Sequence, residues 1–505
     1  METRHPQYAT LLERMGEVQD LLRASEILGW DQRTMMPPRA VEQRAEQLGT
    51  LQRLAHERAT SDEVGRLLDG LGGYESSLPR ESDEACIIRM TRRDYEKSRR
   101  VPSQLVADIK KAEALANEAW VEARRSSNFA AFLPYLRRNV ELKFAYVDCF
   151  NGAGSAYDIL LDDYEPGMKT EDVRLVFEEL KRGLVPLIAA VASRGRPVDT
   201  SCLEGEFDEG AQRRFGISVL EKIGYTADSF RLDSTAHPFC TSASTNDIRL
   251  TTRYTANDIR GALFGSMHEC GHGLYENGFS PSLERTPVCR GASLGFHESQ
   301  SRLWENLVGR SREFWAHFYP LLQRTFPTPF ATLDCETFYR AINKIAPSLI
   351  RVEADEATYN LHVILRFELE QAIMDRSLKL EDLPEAWNTR MRDYLGVEVP
   401  NDRLGVLQDV HWSSGLFGYF PTYSLGNIIS CQIWERARVE LPDLSDQFAR
   451  GEFLTLREWL RRTIHVHGAK FLPSELLQKV VGGPLDVSPY LRYLTRKYTD
   501  IYGLA

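Results

Sequence analysis

His268-Glu269-Cys270-Gly271-His272 is the stretch of this chain whose residue types and spacing most directly imply chemistry. Histidines four apart on a helix project from nearly the same face, so both imidazoles can reach one metal ion. At about 100° per residue, Glu269 stands on the flank of that face. There it can address a water on the metal without becoming a ligand. Cys270 falls on the far side of the helix and reads as packing. A catalytic zinc takes three protein ligands and keeps one position open for water, so a third ligand has to come from elsewhere. Among the acidic residues downstream, Glu298 is the best placed. It lies far enough past His272 for a turn and an antiparallel return on a second helix, which Ser293 can cap. Its neighbour His297 competes for the role but would point about 100° away on the same helix, so the two are not expected to share the ion.

Two other patterns carry weaker chemistry. Gly291-Ala292-Ser293-Leu294-Gly295 matches the nucleophile elbow of serine hydrolases, but that motif needs a buried strand before it. The preceding Glu284-Arg285-Thr286-Pro287-Val288-Cys289-Arg290 makes a poor central strand, and Ser293 reads as a helix cap. His465-Val466-His467-Gly468 follows an amphipathic stretch and reads as histidines complementing a helix C-terminus, not as a second metal site.

The motif needs a helix, and the flanks provide one. Thr255 and Asp258 suggest a capping box, predicting a helix over 256–277 that stops at Gly278. Ile259, Leu263, Met267 and Leu274 supply its apolar face. Helical periodicity also marks 7–28, 39–70, 81–99, 103–127, 170–192, 209–223, 295–309, 335–344, 354–376 and 455–467. The best strand signal is the alternation over 247–254, and 395–426 is the longest irregular stretch. No linker, repeat or low-complexity tract divides the chain. The expected fold is all-α with minor β: a single helical domain over 1–505, with two lobes around a deep substrate groove.

The 505 residues are 43% hydrophobic and 27% charged, an ordinary globular balance. A net charge of −10 argues against general nucleic-acid binding. No apolar run is long enough to span a bilayer. The first residues lack the apolar core of a signal peptide. The eight cysteines are scattered singly, as in a protein with reduced thiols, so a cytoplasmic location is expected.

With the metal helix and Glu298 placed, the chain resembles the carboxypeptidase Taq family over nearly its full length. The residues that carry the resemblance come in order. They are Trp30-Asp31-Gln32-x-Thr34-Met35-Met36-Pro37-Pro38, His237-Pro238-Phe239, Asp247-x-Arg249-x-Thr251, the metal pentapeptide, and His297-Glu298-Ser299-Gln300-Ser301. Ile350-Arg351-x-x-Ala354-Asp355 and Gly415-x-x-Gly418-Tyr419-Phe420-Pro421-Thr422-Tyr423 complete the set. The resemblance implies a nearly all-helical fold with a deep groove, homodimers, and release of single residues from peptide C-termini. It also implies a divalent metal, usually zinc, with cobalt able to substitute.

Physical roles can be set beside it. Zinc on His268, His272 and Glu298 would activate water and polarise the scissile carbonyl, with Glu269 as general base. His237 and Tyr423 are candidate donors to the developing oxyanion. A free α-carboxylate is best held by an arginine fork. Arg351 is the first candidate and Arg249 the second, the bland alternative for Arg351 being a helical ion pair with Asp355. The expected activity is that of a zinc carboxypeptidase of broad specificity acting on peptides with a free C-terminus.

Overall fold

The computed structural model describes residues 5–504 apart from 151 and 153. The fold is predominantly helical with one small mixed sheet. Its strands are β1 (Phe230–Ser234), β2 (Cys240–Ser244) and β3 (Asp247–Thr252), with β3 in the middle, parallel to β1 and antiparallel to β2. Four helices matter most for the site. They are α1 (Pro6–Thr34), α2 (Ile259–Asn277), α3 (Leu294–Arg302) and α4 (Pro421–Glu440).

The motif helix α2 starts three residues later than the capping pattern suggests. Asp258 is its N-cap, accepting from the Arg260 N–H at 2.8 Å, while the Thr255 hydroxyl donates to the Asp258 carbonyl at 3.1 Å and caps nothing. Ile259, Leu263, Met267 and Leu274 are buried as its spacing demands, and the helix packs on β3. It ends at Asn277. Gly278 is not in the left-handed conformation (φ −85°); glycine is required because a Cβ there would stand 2.4 Å from Nδ1 of His465.

Ser293 caps α3, accepting from the Phe296 N–H at 3.0 Å, so the apparent nucleophile elbow is a helix start. After Arg302 the helix widens into a π turn over Leu303–Val308, where the periodicity had suggested one regular helix. Such widened turns re-aim side chains and often occur at functional sites. The segment 39–70 is also two helices, Val41–Ala59 and Asp62–Gly70, with Ser61 capping the second.

α4 begins inside the stretch 395–426 that the sequence marks as irregular, and no helical periodicity marks the rest of it. Nearly all its residues from Pro421 to Ile433 are buried. A helix buried on every side has no polar stripe, so its 3.6-residue period disappears from the sequence. It forms the most extensive helix–helix contact of the chain with α3. All eight cysteines are free thiols, and among the described residues no helix is long and apolar enough to cross a membrane.

The first turn of α3 is held from outside by 164–165. The Leu294 N–H donates to the Tyr164 carbonyl at 3.1 Å, and the Gly295 N–H donates to the fully buried Glu165 carboxyl. Burial pushes the Glu165 pKa up to about 8 from 4.5, against the pull of hydrogen bonds from Ser293 and Gly295. Between those values the folded chain holds a proton that the unfolded chain releases. This group's contribution to stability is therefore full below about 4.5 and is lost as pH rises through about 8. Glu165→Gln cannot titrate, so its Tm relative to the parent should climb by a few degrees from about pH 5 to about pH 9. Matched thermal scans check this, and a Tm difference that stays constant with pH contradicts it.

Candidate metal centre and substrate cavity

Histidines 268 and 272 stand one turn apart on α2, and α3 brings Glu298 across from them. Oε2 of Glu298 is 3.5 Å from Nε2 of His268 and 3.5 Å from Nε2 of His272. The edge of a tetrahedron with metal bonds of about 2.1 Å is about 3.4 Å, so the spacing fits a shared ion. One ligand atom from each residue lies within 4.8 Å of the other two, and among the described residues this is the one such His/Cys/Asp/Glu group. Burial raises the pKa of Glu298, but Arg302 and the two imidazoles outweigh it and hold the carboxylate well below its ordinary range. Nε of Arg302 donates to Oε1 of Glu298 at 2.6 Å, leaving Oε2 for the ion.

The other side of each imidazole is engaged. Nδ1 of His268 is 2.9 Å from Oε2 of Glu305, which sits on the π turn and also accepts from Arg302 at 3.2 Å. Nδ1 of His272 is 2.6 Å from Nδ1 of His297. Both histidines therefore turn Nε2 toward Glu298, the orientation that a metal would require. Cys270 is fully buried and takes no part.

Glu269 lies in the wall of a cavity of about 1050 Å³ that also includes His268, Glu298, Arg302, Arg351 and Tyr423. Among the described residues its carboxylate makes no hydrogen bond or ion pair, although the residue is only 8% exposed. Burial pushes its pKa up to about 7; the His268 charge opposes that and the carboxylates of Glu298 and Glu305 add to it. An unpaired carboxylate of that basicity beside a candidate metal site is equipped to accept a proton from water.

Arg351 reaches the same cavity on a short 3₁₀ turn, Arg351–Glu353, and not on a helix. The alternative pair with Asp355 does not form. Asp355 accepts instead from Ala346, Ala357 and Thr358, while Arg351 donates to Asp409 from Nε (3.0 Å) and Nη2 (2.9 Å) and to the Tyr359 hydroxyl from Nη1 (2.9 Å). The hydroxyl of Tyr423 is 3.1 Å from Nε2 of His411. His237 is exposed beside Pro238, which lines the cavity. Arg249 is outside the lining: it makes a bidentate pair with Asp247 at 2.9 Å, and its guanidinium lies 4.5 Å over Trp30.

A sequence profile of the carboxypeptidase Taq (M32) metallopeptidases matches residues 10–498. The chain belongs to that family. It is accordingly a metallocarboxypeptidase by family, a peptide hydrolase. It is 43% identical to thermostable carboxypeptidase 1 of Thermus thermophilus, with 98% of this chain and 99% of the relative aligned. It is 37% identical to carboxypeptidase 1 of Bacillus subtilis over the whole of both chains. Among solved structures, the M32 carboxypeptidase of Deinococcus radiodurans R1 superposes with a TM-score of 0.96 at 40% identity, covering 99% of this chain and 100% of that one.

Within this M32 chain, several groups at the site escaped the sequence reading. Asp409 bridges Arg351 and Arg366, and Oε1 of Gln408 accepts from the Arg351 N–H and from Arg366, both at 2.9 Å. The signal available was a Gln-Asp-x-His cluster inside an unusually long irregular stretch. Glu305 follows Glu298 by two helical turns, a spacing that points to it, but the π turn that sets its angle is not legible. α3 meets both α2 and α4 through glycines. A Cβ on Gly271 would stand 2.7 Å from the Gln300 carbonyl oxygen, and one on Gly426 would stand 2.5 Å from Cγ of Glu298. His465 is no cation at a helix end. It is fully buried, burial pushes its pKa down to about 3, and its Nε2 is 2.9 Å from Oε1 of Gln300.

Proposed function

We propose that this chain removes single residues from the C-termini of peptides, using a divalent metal held by His268, His272 and Glu298. The observation that carries the reading is the sharing of one cavity wall by two of the three candidate ligands, His268 and Glu298, the unpaired Glu269 carboxylate and Arg351. Bound there, zinc or cobalt supplies Lewis acidity for the scissile carbonyl and lowers the pKa of water.

The protein's own groups do the rest. Glu269 takes the proton of the attacking water on its carboxylate and delivers it to the departing amine nitrogen. Arg351 has five N–H donors. Three are engaged by Asp409 and Tyr359, and the remaining two hold the substrate α-carboxylate. Asp409 and Tyr359 fix that guanidinium in place, and Gln408 holds the Arg351 backbone N–H. Tyr423 donates to the developing oxyanion, with His237 as a second donor at the cavity edge, and Arg249 is an outer cation of the substrate path. Fixing the backbone carboxylate while leaving a roomy cavity favours broad side-chain specificity. We read 1–505 as one catalytic domain that works in the cytoplasm as a homodimer. The free thiols support that location and the family resemblance supports the dimer.

Metal analysis tests the reading. The purified protein should hold about one equivalent of zinc or cobalt per chain. Removal by a chelator should abolish peptide hydrolysis, and zinc or cobalt should restore it. Hydrolysis that survives complete metal removal would overturn the proposal.

A further inference from the structure

Behind His272 runs a line of polar groups that the proposed chemistry does not use. Nδ1 of His272 meets Nδ1 of His297 at 2.6 Å, and Nε2 of His297 is 2.8 Å from Oε1 of Glu276, one turn past His272 on α2. Oε2 of Glu276 accepts from the Ser242 hydroxyl at 2.9 Å. Arg23 of α1 stands 3.8 Å from that same oxygen and donates to Oγ of Ser242 at 2.7 Å and to the Cys289 carbonyl at 2.8 Å. The line thus runs from a candidate ligand through α3 and α2 to β2 and the N-terminal helix. His297 and Glu276 also line a second cavity, of about 670 Å³.

Hydrogen-bond bookkeeping fixes the protons along it. An ionised carboxylate only accepts, so Nε2 of His297 carries a hydrogen for Glu276. In a neutral His297 the other ring nitrogen, Nδ1, is then bare and must accept. The proton in the 2.6 Å contact therefore belongs to Nδ1 of His272, and Nε2 of His272 is left with its lone pair toward Glu298. His268 reaches the same state by a shorter route, with the Glu305 carboxylate directly behind it at 2.9 Å.

We infer that His297 is a positioning residue that sets the tautomer and ring angle of His272, with Glu276 anchoring it from behind. The inference rests on the metal-site reading above. His297, met in the sequence as a rival to Glu298, acts through a ligand and is not one itself. A carboxamide can replace it: in His297→Gln the oxygen accepts from His272 and the NH₂ donates to Glu276.

The test is zinc affinity, measured by competition with a chromogenic chelator on the full-length protein and independently of turnover. His297→Ala should weaken zinc binding by about 10- to 100-fold. His297→Gln should recover most of that loss. Glu276→Ala should weaken binding too, and the double variant His297→Ala/Glu276→Ala should be little worse than His297→Ala, because the two act in series. Zinc affinity of His297→Ala within about twofold of the parent overturns the inference, as does a His297→Gln variant no better than His297→Ala. Should His297→Ala fail to fold, His297→Gln and Glu276→Ala decide: near-parental affinity in the first with clear loss in the second supports the relay, and any other pattern overturns it. A parent that binds no zinc would defeat the metal-site reading instead, which keeps the two failures apart.

Discussion

Glu269→Gln should lower kcat by about 10²- to 10⁴-fold while the protein keeps its full complement of zinc. The substitution is nearly isosteric and leaves His268, His272 and Glu298 untouched. It removes the one buried carboxylate of the cavity wall that makes no hydrogen bond or ion pair among the described residues. Glutamine cannot accept a proton at neutral pH, whereas burial places the Glu269 pKa at about 7, close to the working range of a general base. Its carboxylate also faces the like charges of Glu298 and Glu305, so neutralising it does not loosen the ligand set. Steady-state kinetics beside metal analysis of the same preparation check this. Unchanged turnover, or lost zinc, would contradict the assigned role.

Arg351→Ala should cost kcat/KM about 10²-fold or more on free-acid peptides and little on the corresponding amides. The guanidinium is buried and paired with Asp409, so removing it deletes a fork for the α-carboxylate and leaves Asp409 with Arg366 alone. Truncating one member of such a buried pair typically costs about 2–5 kcal/mol. The stability cost alone would lower activity on both kinds of peptide equally, so the acid-to-amide ratio separates recognition from damage. Arg351→Lys should not restore that ratio, because a point charge lacks the planar fork. An equal loss on acid and amide would remove Arg351 from substrate recognition.

What could be read in the sequence was local. Two histidines four apart on one helix carry their geometry with them, and Ser293 marks the start of the helix that bears Glu298. The groups behind the ligands were not readable, because they depend on how remote faces meet. The contact between His272 and His297 exists because α3 lies close against α2 and α4, an approach that a side chain at Gly271 or Gly426 would block. For Arg351 the sequence offers, beside a role toward a carboxylate, a helical pair with Asp355. Its true partner, Asp409, lies 58 residues away in a stretch without periodicity. The same loss of periodicity hid α4, whose residues from Pro421 to Ile433 are nearly all buried.

The roles of Glu269 and Arg351 converge on one claim, that hydrolysis starts from a free C-terminus. The most direct measurement follows a peptide and its C-terminal amide by mass spectrometry with the zinc-loaded protein. The account predicts a ladder of single-residue losses from the free acid and an intact amide. Internal cleavage, or equal hydrolysis of the amide, would contradict it.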